Sequence, residues 1–268
     1  MTLQVQLAAG SGAASVTLNV PRAAYQPETP IARRMVAWPP GAVHKPGMPP
    51  DNLKPRLSHE AAQHLSRVCP RFAALIGRVG PPGLRVERGR GLYEALIRAI
   101  AHQQLHGKAA EAILGRFIAL YPGEVFPSPN RVLDTDDDVL RGCGFSAAKL
   151  AAVQDICART MDGTVPTRRQ ATKLSDEALI ERLTTIRGVG RWTVEMLLIF
   201  TLGRPDVLPV DDFGVREGYR VLFELDTQPK PKALAELGLA WAPHRSMATW
   251  YLYRAVEEAR RQGPSSRA

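Results

Sequence analysis

Two glycines flanking one apolar residue, Gly188-Val189-Gly190, stand between two stretches of helical periodicity and require a tight hairpin between helices. Upstream, Ser175 is placed to cap a helix whose first turn carries Asp176 and Glu177, and whose Leu179, Ile180, Leu183 and Ile186 share one face. Downstream, a second apolar helix runs from Trp192 to Phe200. A helix that starts directly after such a turn leaves its first N–H groups pointing outward, where a phosphate oxygen can accept from them and from the amides of Gly188 and Gly190. Arg191 can add charge there. Read alone, the turn is also compatible with a glycine C-cap that binds nothing.

The charge balance points the same way without deciding the matter. The 268 residues carry 35 Lys and Arg against 26 Asp and Glu, a net charge of +9. Such a chain favours a polyanionic partner, because each phosphate it neutralises releases a counterion. The charges are spread along the sequence, so a soluble basic surface accounts for them as well. Cys69, Cys143 and Cys157 are odd in number with no close pair, which argues against a disulfide framework and suits buried thiols in a reducing compartment. No apolar run approaches the length of a membrane span, and no secretory leader pattern opens the chain, so a cytoplasmic, nucleoid-associated protein is expected.

Alternation within residues 3–20 suits a small hairpin around Ala9-Gly-Ser-Gly12. Nine prolines between Pro21 and Pro55 then exclude a helix or a central strand, which leaves an extended arm. After Leu57 the pattern is helical nearly throughout. Helices are expected over 58–68, 70–79, 91–103, 107–120, 136–141, 146–161, 175–185, 191–202, 211–223, 230–239 and 245–261, with breaks at Gly80-Pro-Pro-Gly83, Tyr121-Pro-Gly123, Phe126-Pro-Ser-Pro129 and Gly163. The fold class is therefore all-α with a proline-rich N-terminal extension over 1–55.

Asp212 lies 20 residues after Trp192, past one helix and the turn Gly203-Arg204-Pro205, so the chain has room to bring a carboxylate back toward the hairpin. The segments Ala101-His-Gln-Gln-Leu-His106, Gly188-Val-Gly-Arg-Trp192, Leu208-Pro-Val-Asp-Asp-Phe213 and Trp241-Ala-Pro-His-Arg-Ser246 occur in an order that resembles the helix-hairpin-helix DNA glycosylases. Within them the chain looks like the 3-methyladenine DNA glycosylase II group, which repairs alkylated bases. The resemblance covers residues from about 90 to 255. It implies two helical lobes within 56–268, one from about 92 to 205 and the other from 56–91 with 206–268, and an active cleft between them. The additional N-terminal α/β domain of larger members is not expected in 55 proline-rich residues.

The resemblance also implies a chemistry. Expelling a purine leaves positive charge on the sugar, and one carboxylate can stabilise that charge and orient water. Asp211 and Asp212 are both candidates by residue type, and the family's pattern selects Asp212; the plain alternative is that either caps the helix starting at Phe213. Trp192 stands where glycosylases that also cut the backbone carry a Schiff-base lysine, so a monofunctional enzyme is implied. An aromatic there can also stack on a cationic flipped purine, with Phe213, Tyr253 and Trp250 as further pocket candidates, unless these rings simply pack in the core.

In the family the turn at Gln103 to His106 enters the minor groove. Leu105 would then plug the space left by the flipped nucleotide while Gln104 and His106 contact DNA beside it; the alternatives are a core leucine and a solvated histidine. Ser146, beside Phe145, would face the opposite strand or cap a helix, and Lys149 would meet phosphate. Main-chain oxygens of Thr184, Ile186 and Val189 would be the ones to hold a sodium or potassium ion. No cofactor is required. No iron–sulfur cluster is expected, since no cysteine follows Cys157, and no zinc, since Gln103 stands where the glutamate of a His102/His106 zinc helix would be and no third ligand is evident. The partner implied is duplex DNA containing alkylated bases, bound by a monomer. The alternatives are a non-catalytic helix-hairpin-helix DNA-binding module and, disfavoured by Trp192, a glycosylase-lyase.

Overall fold

The computed structural model describes residues 2–7, 14–19, 55–105 and 107–262, with side chains from 58 to 261 apart from 106. The proline-rich arm and His106 lie outside the described residues. At the N-terminus the alternating segments form an antiparallel hairpin, β1 (Thr2–Leu7) and β2 (Ala14–Asn19), in the register Thr2 to Asn19 through Leu7 to Ala14. This is the small hairpin the alternation suggests, and it adds strands to an otherwise helical chain. By its contacts the hairpin belongs to a unit separate from the helices.

The helical unit follows the apolar periodicity. Helices α1 (Pro55–Val68), α2 (Pro70–Val79), α3 (Leu92–His102), α4 (Gly107–Ala119), α6 (Asp137–Gly142), α7 (Ala147–Met161), α9 (Asp176–Leu183), α10 (Arg191–Leu197), α11 (Phe213–Leu222), α12 (Pro231–Leu237) and α13 (Arg245–Gln262) correspond to the eleven expected segments. Two short helices were not expected. The first, α5 (Pro129–Leu133), is five residues long, too brief for periodicity to reveal, and begins where prolines read as a break. The second, α8 (Arg168–Ala171), is announced only by its capping box, in which Thr167 and Gln170 satisfy each other's backbone.

Helices α3, α4, α5, α6, α7, α9 and α10 form one chain of packed neighbours, and α1, α2, α11 and α13 form another. A continuous core that includes Leu96, Ile100, Phe117, Ile156, Leu183, Val194, Phe72 and Tyr251 runs through both. All three cysteines are buried free thiols, as the odd count suggests. After Leu197 the helix widens into a π-helical turn, Leu198–Leu202, and stops at Gly203 in the left-handed region. The loop that follows carries the chain to Asp212.

Candidate active site

Ser175 caps α9 by accepting from the Ala178 N–H at 3.2 Å, and α9 ends at Thr184. Four residues later the chain reverses at Gly188, whose φ is +77°. A side chain there would be strained by that conformation, and its Cβ would lie 3.0 Å from the Ala152 methyl and 3.4 Å from Ile100. The hairpin thus rests directly on α7 and α3. Gly190, in an extended conformation, starts α10 without a side-chain cap. The turn has the geometry the glycines required, but one of its amides is already taken: the Arg187 N–H donates to Asp155 Oδ2 at 2.7 Å.

The Arg191 guanidinium does not stand alone. It donates to Glu177 at 2.9 and 3.3 Å and, from Nε, to Glu195 at 3.1 Å. Glu195 was not singled out in the sequence, yet its side chain is only 6% exposed. Burial pushes its carboxyl up to about 7 despite the neighbouring Arg191. Lys149, expected to meet phosphate, is instead engaged within the chain. Its ammonium donates to the Ala101 carbonyl at 2.8 Å, near the C-terminal end of α3, where cations and carbonyl dipoles attract, and burial lowers its pKa. Ser146 takes the capping role, accepting from Lys149 N–H.

At Trp192, the second residue of α10, the chemistry changes from backbone to side chain. Asp212 is the N-cap of α11: its Oδ1 accepts the Val215 N–H at 2.6 Å, so the capping alternative is real. Its other oxygen, Oδ2, accepts the Trp192 indole N–H at 2.5 Å. Asp211 is exposed, whereas Asp212 is buried. Burial raises the Asp212 carboxyl above the ordinary range, while hydrogen bonds from Val215, Trp192 and Tyr253 pull it back. The Tyr253 hydroxyl is enclosed beside it, pushed well up by burial and by the Asp212 charge, and lies 3.8 Å from Met196 Sδ. Trp192, Tyr253 and Asp212 therefore form one cluster.

Phe213 stands next to that cluster in sequence and is exposed, 39% by area, an accessible ring at the start of α11. Trp250 has a different place. It is buried against Tyr251, the Arg254 guanidinium and Gly83, and nothing brings it to Asp212; its ring packs in the core, as rings on the inner face of a long helix do.

Two sequence features hold the cluster, a glycine spacing in α11 and the end of the segment Trp241–Ser246. In Gly214-Val-Arg-Glu-Gly218 the glycines are four apart on one helix face. A Cβ at Gly218 would fall 2.2 Å from the Leu252 carbonyl oxygen, and one at Gly214 would fall 2.8 Å from the Tyr253 ring. Only glycine lets α11 lie against α13 and bring Tyr253 to Asp212. The segment His244-Arg-Ser246 clamps the loop before Asp212: Arg245 binds Asp206 through Nε at 2.7 Å and Nη2 at 2.8 Å, and Ser246 Oγ donates to the Arg204 carbonyl and accepts the Val207 N–H.

At the turn after α3, Gln104 is exposed with φ +57°, and Leu105 is half-buried against the core. The residue presented to solvent is Gln104; Leu105 leans inward, nearer the core-leucine alternative than the plug. Among the described residues no group of His, Cys, Asp and Glu could hold a metal ion, and no helix is long and apolar enough to cross a membrane.

The model of a family described as HhH-GPD superfamily base excision DNA repair protein matches residues 97–244. DNA-3-methyladenine glycosylase 1 of Schizosaccharomyces pombe is 45% identical over 197 residues, 73% of this chain and 86% of that protein. Among solved structures, the 3-methyladenine DNA glycosylase of the same yeast in complex with abasic DNA superposes with a TM-score of 0.68 at 44% identity, covering 73% of this chain and 95% of that one. A DNA-3-methyladenine glycosidase from Bacillus halodurans gives 0.67 at 30% identity, covering 76% and 91%.

Proposed function

Because this chain belongs to the HhH-GPD superfamily of base excision DNA repair proteins, we propose that it is a monofunctional DNA glycosylase of the 3-methyladenine DNA glycosylase II class, hydrolysing the N-glycosidic bond of alkylated purines. Its substrates in this reading are 3-methyladenine and 7-methylguanine in duplex DNA, and it acts as a monomer. The observation that carries the reading is the buried Asp212 carboxylate, held by the Trp192 indole at the start of the hairpin-borne helix.

The steps follow from this chain's groups. Amides of the hairpin around Gly188 and Gly190 hold a phosphate beside the damaged nucleotide. The exposed turn at Gln104 enters the duplex, and the flipped purine meets Trp192, Phe213 and Tyr253, whose π faces favour a cationic base. As the bond to the base breaks, Asp212 stabilises the sugar cation and orients water toward it. Trp192 has no amine with which to form an imine, so the product is an intact strand with an abasic site. No cofactor takes part. A sodium or potassium ion held by main-chain oxygens of Thr184, Ile186 and Val189 belongs to the reading as a support of the hairpin. The Ile186 oxygen accepts one N–H, from Val189 at 3.1 Å, which leaves it a second lone pair.

The test is incubation with methylated duplex DNA, chromatography of the released bases, and borohydride treatment. Free 3-methyladenine with no trapped protein–DNA adduct is expected. Binding without base release would favour the non-catalytic DNA-binding module, and a trapped adduct would show a lyase.

A further inference from the structure

The turn that carries Gln104 and the hairpin that carries Gly188 come from parts of the chain 85 residues apart, yet one side chain joins them. Gln103 Nε2 donates to the Gly188 carbonyl at 3.0 Å. The geometry points to Gln103 as a positioning residue that sets the exposed turn at a fixed distance from the phosphate-binding hairpin.

Three observations make this more than a surface contact. Gln103 closes α3: its N–H is shared between the carbonyls of Ala99 and Ile100, and at the next residue the backbone enters the left-handed region, φ +57° at Gln104. That conformation is uncommon for a residue with a side chain and persists only where the surroundings hold it. The acceptor is equally fixed, because Gly188 lies against Ala152 and Ile100 and the neighbouring Arg187 amide is bound to Asp155. A hydrogen bond between two constrained ends acts as a strut. Glutamine suits the task, since its amide donates to a carbonyl without bringing a negative charge toward DNA.

This assignment rests on the glycosylase reading for its functional consequence. If the turn must enter the duplex at the nucleotide whose phosphate the hairpin holds, an error of about 1 Å between the two would lower the rate of base release without weakening phosphate contacts to the same degree. Gln103 would then act on the catalytic rate at saturating DNA.

Gln103→Met keeps length and bulk and removes the donor. With wild-type protein alongside, single-turnover excision from a methylated duplex should fall roughly tenfold at saturating enzyme, while affinity for abasic DNA changes less than about threefold. The same base placed in an unpaired bulge should be excised at nearly the wild-type rate. Equal losses on duplex and bulge, or no loss on either, would overturn the assignment. Amide hydrogen exchange of the free protein gives a reading independent of activity. Exchange should quicken in both segments, 101–105 and 186–190, and leave α13 unchanged. If Gln103→Met leaves both segments as protected as before, the strut does not exist, whatever the enzyme excises. An inactive wild type with quickened exchange in the variant would keep the strut and discard the glycosylase reading.

Discussion

At the hairpin, the groups offered to a ligand are backbone amides of an exposed turn; one of them, Arg187 N–H, is already bound to Asp155, and the nearby Arg191 side chain is matched to Glu177 and Glu195. At Asp212 the group offered is a carboxylate shut away from water, fixed by Val215, Trp192 and Tyr253. In the proposed reading the first region works by conformation, so changes of side chain should be tolerated and changes that force the backbone should not. In the same reading the second works through one carboxylate and its desolvation. Trp192, the second residue of α10, links them, because its backbone begins the helix and its indole reaches the carboxylate.

The contrast is broken most sharply by Asp212→Asn. Base release should fall by roughly a hundredfold to a thousandfold or more, because the variant carries no charge opposite the sugar cation. Abasic-DNA binding should change little, since in the proposed reading affinity comes from phosphate contacts away from Asp212. Folding should also be nearly unaffected: Asn keeps one oxygen for the Val215 N–H and sheds a desolvated charge, against the lost Trp192 bond. Parental excision by the Asn variant would remove Asp212 from the chemistry. In the wild type, the acid limb of the rate profile should lie above the ordinary carboxylate range, since burial raises the group that must be ionised.

Glu195 lies between the two regions and sharpens the comparison through stability. Folded, it titrates at about 7, against 4.5 for the unpaired residue. The folded state therefore holds the proton through that window, so this contribution to stability is complete below 4.5 and is lost as the pH rises through 7. Glu195→Gln should raise stability at pH 8 by about 2–3 kcal/mol and change it little at pH 4.5, as thermal melting at both values would show. A variant less stable at pH 8 than the parent would mean that the Arg191 pair outweighs burial.

Gly188→Ala tests the claim that the hairpin works by conformation. A left-handed alanine costs about 1–2 kcal/mol, and the added methyl meets Ala152 at 3.0 Å. Abasic-DNA affinity should fall about tenfold while the pH dependence set at Asp212 stays unchanged. Adding Ala152→Gly should recover the steric part and leave the conformational part. Full recovery would show that φ at 188 does not matter.

The two regions also differed in how far the sequence disclosed them. Glycine spacing announced the hairpin because a left-handed turn admits few other residues, and helix caps such as Ser175 and Ser146 announced helix starts. Asp212 could be singled out by spacing and family pattern, but its partner could not, since nothing in the sequence says that the Trp192 indole points at it. Lys149 and Arg191 were read as phosphate contacts because exposed cations near a DNA-binding turn usually are. Their partners, the Ala101 carbonyl and Glu177, come from other elements, so only folding reveals that both are engaged. Trp250 failed for a related reason: an aromatic three residues from Tyr253 looks like a pocket neighbour, while the helix places it against Gly83. The spacing of Gly214 and Gly218 was visible throughout and went unread because its meaning depends on α13 lying across it.

The smallest effect is expected at Arg191, and it bears on what the hairpin's charge is for. Its guanidinium is half-exposed and bound to two carboxylates, so it must leave both to meet a phosphate. Exposed pairs of this kind contribute about 0–1 kcal/mol, which sets a low barrier to that exchange but also a low gain from it. Arg191→Gln should therefore weaken abasic-DNA binding less than about threefold and lower the slope of log affinity against log salt by well under the roughly 0.9 of a full phosphate contact. Glu177→Gln, which releases one side of the guanidinium, should tighten binding by a similar small factor. If Arg191→Gln instead removed a full unit of slope, the side chain would abandon its carboxylates on DNA, and the hairpin would grip phosphate by charge as well as by backbone amides.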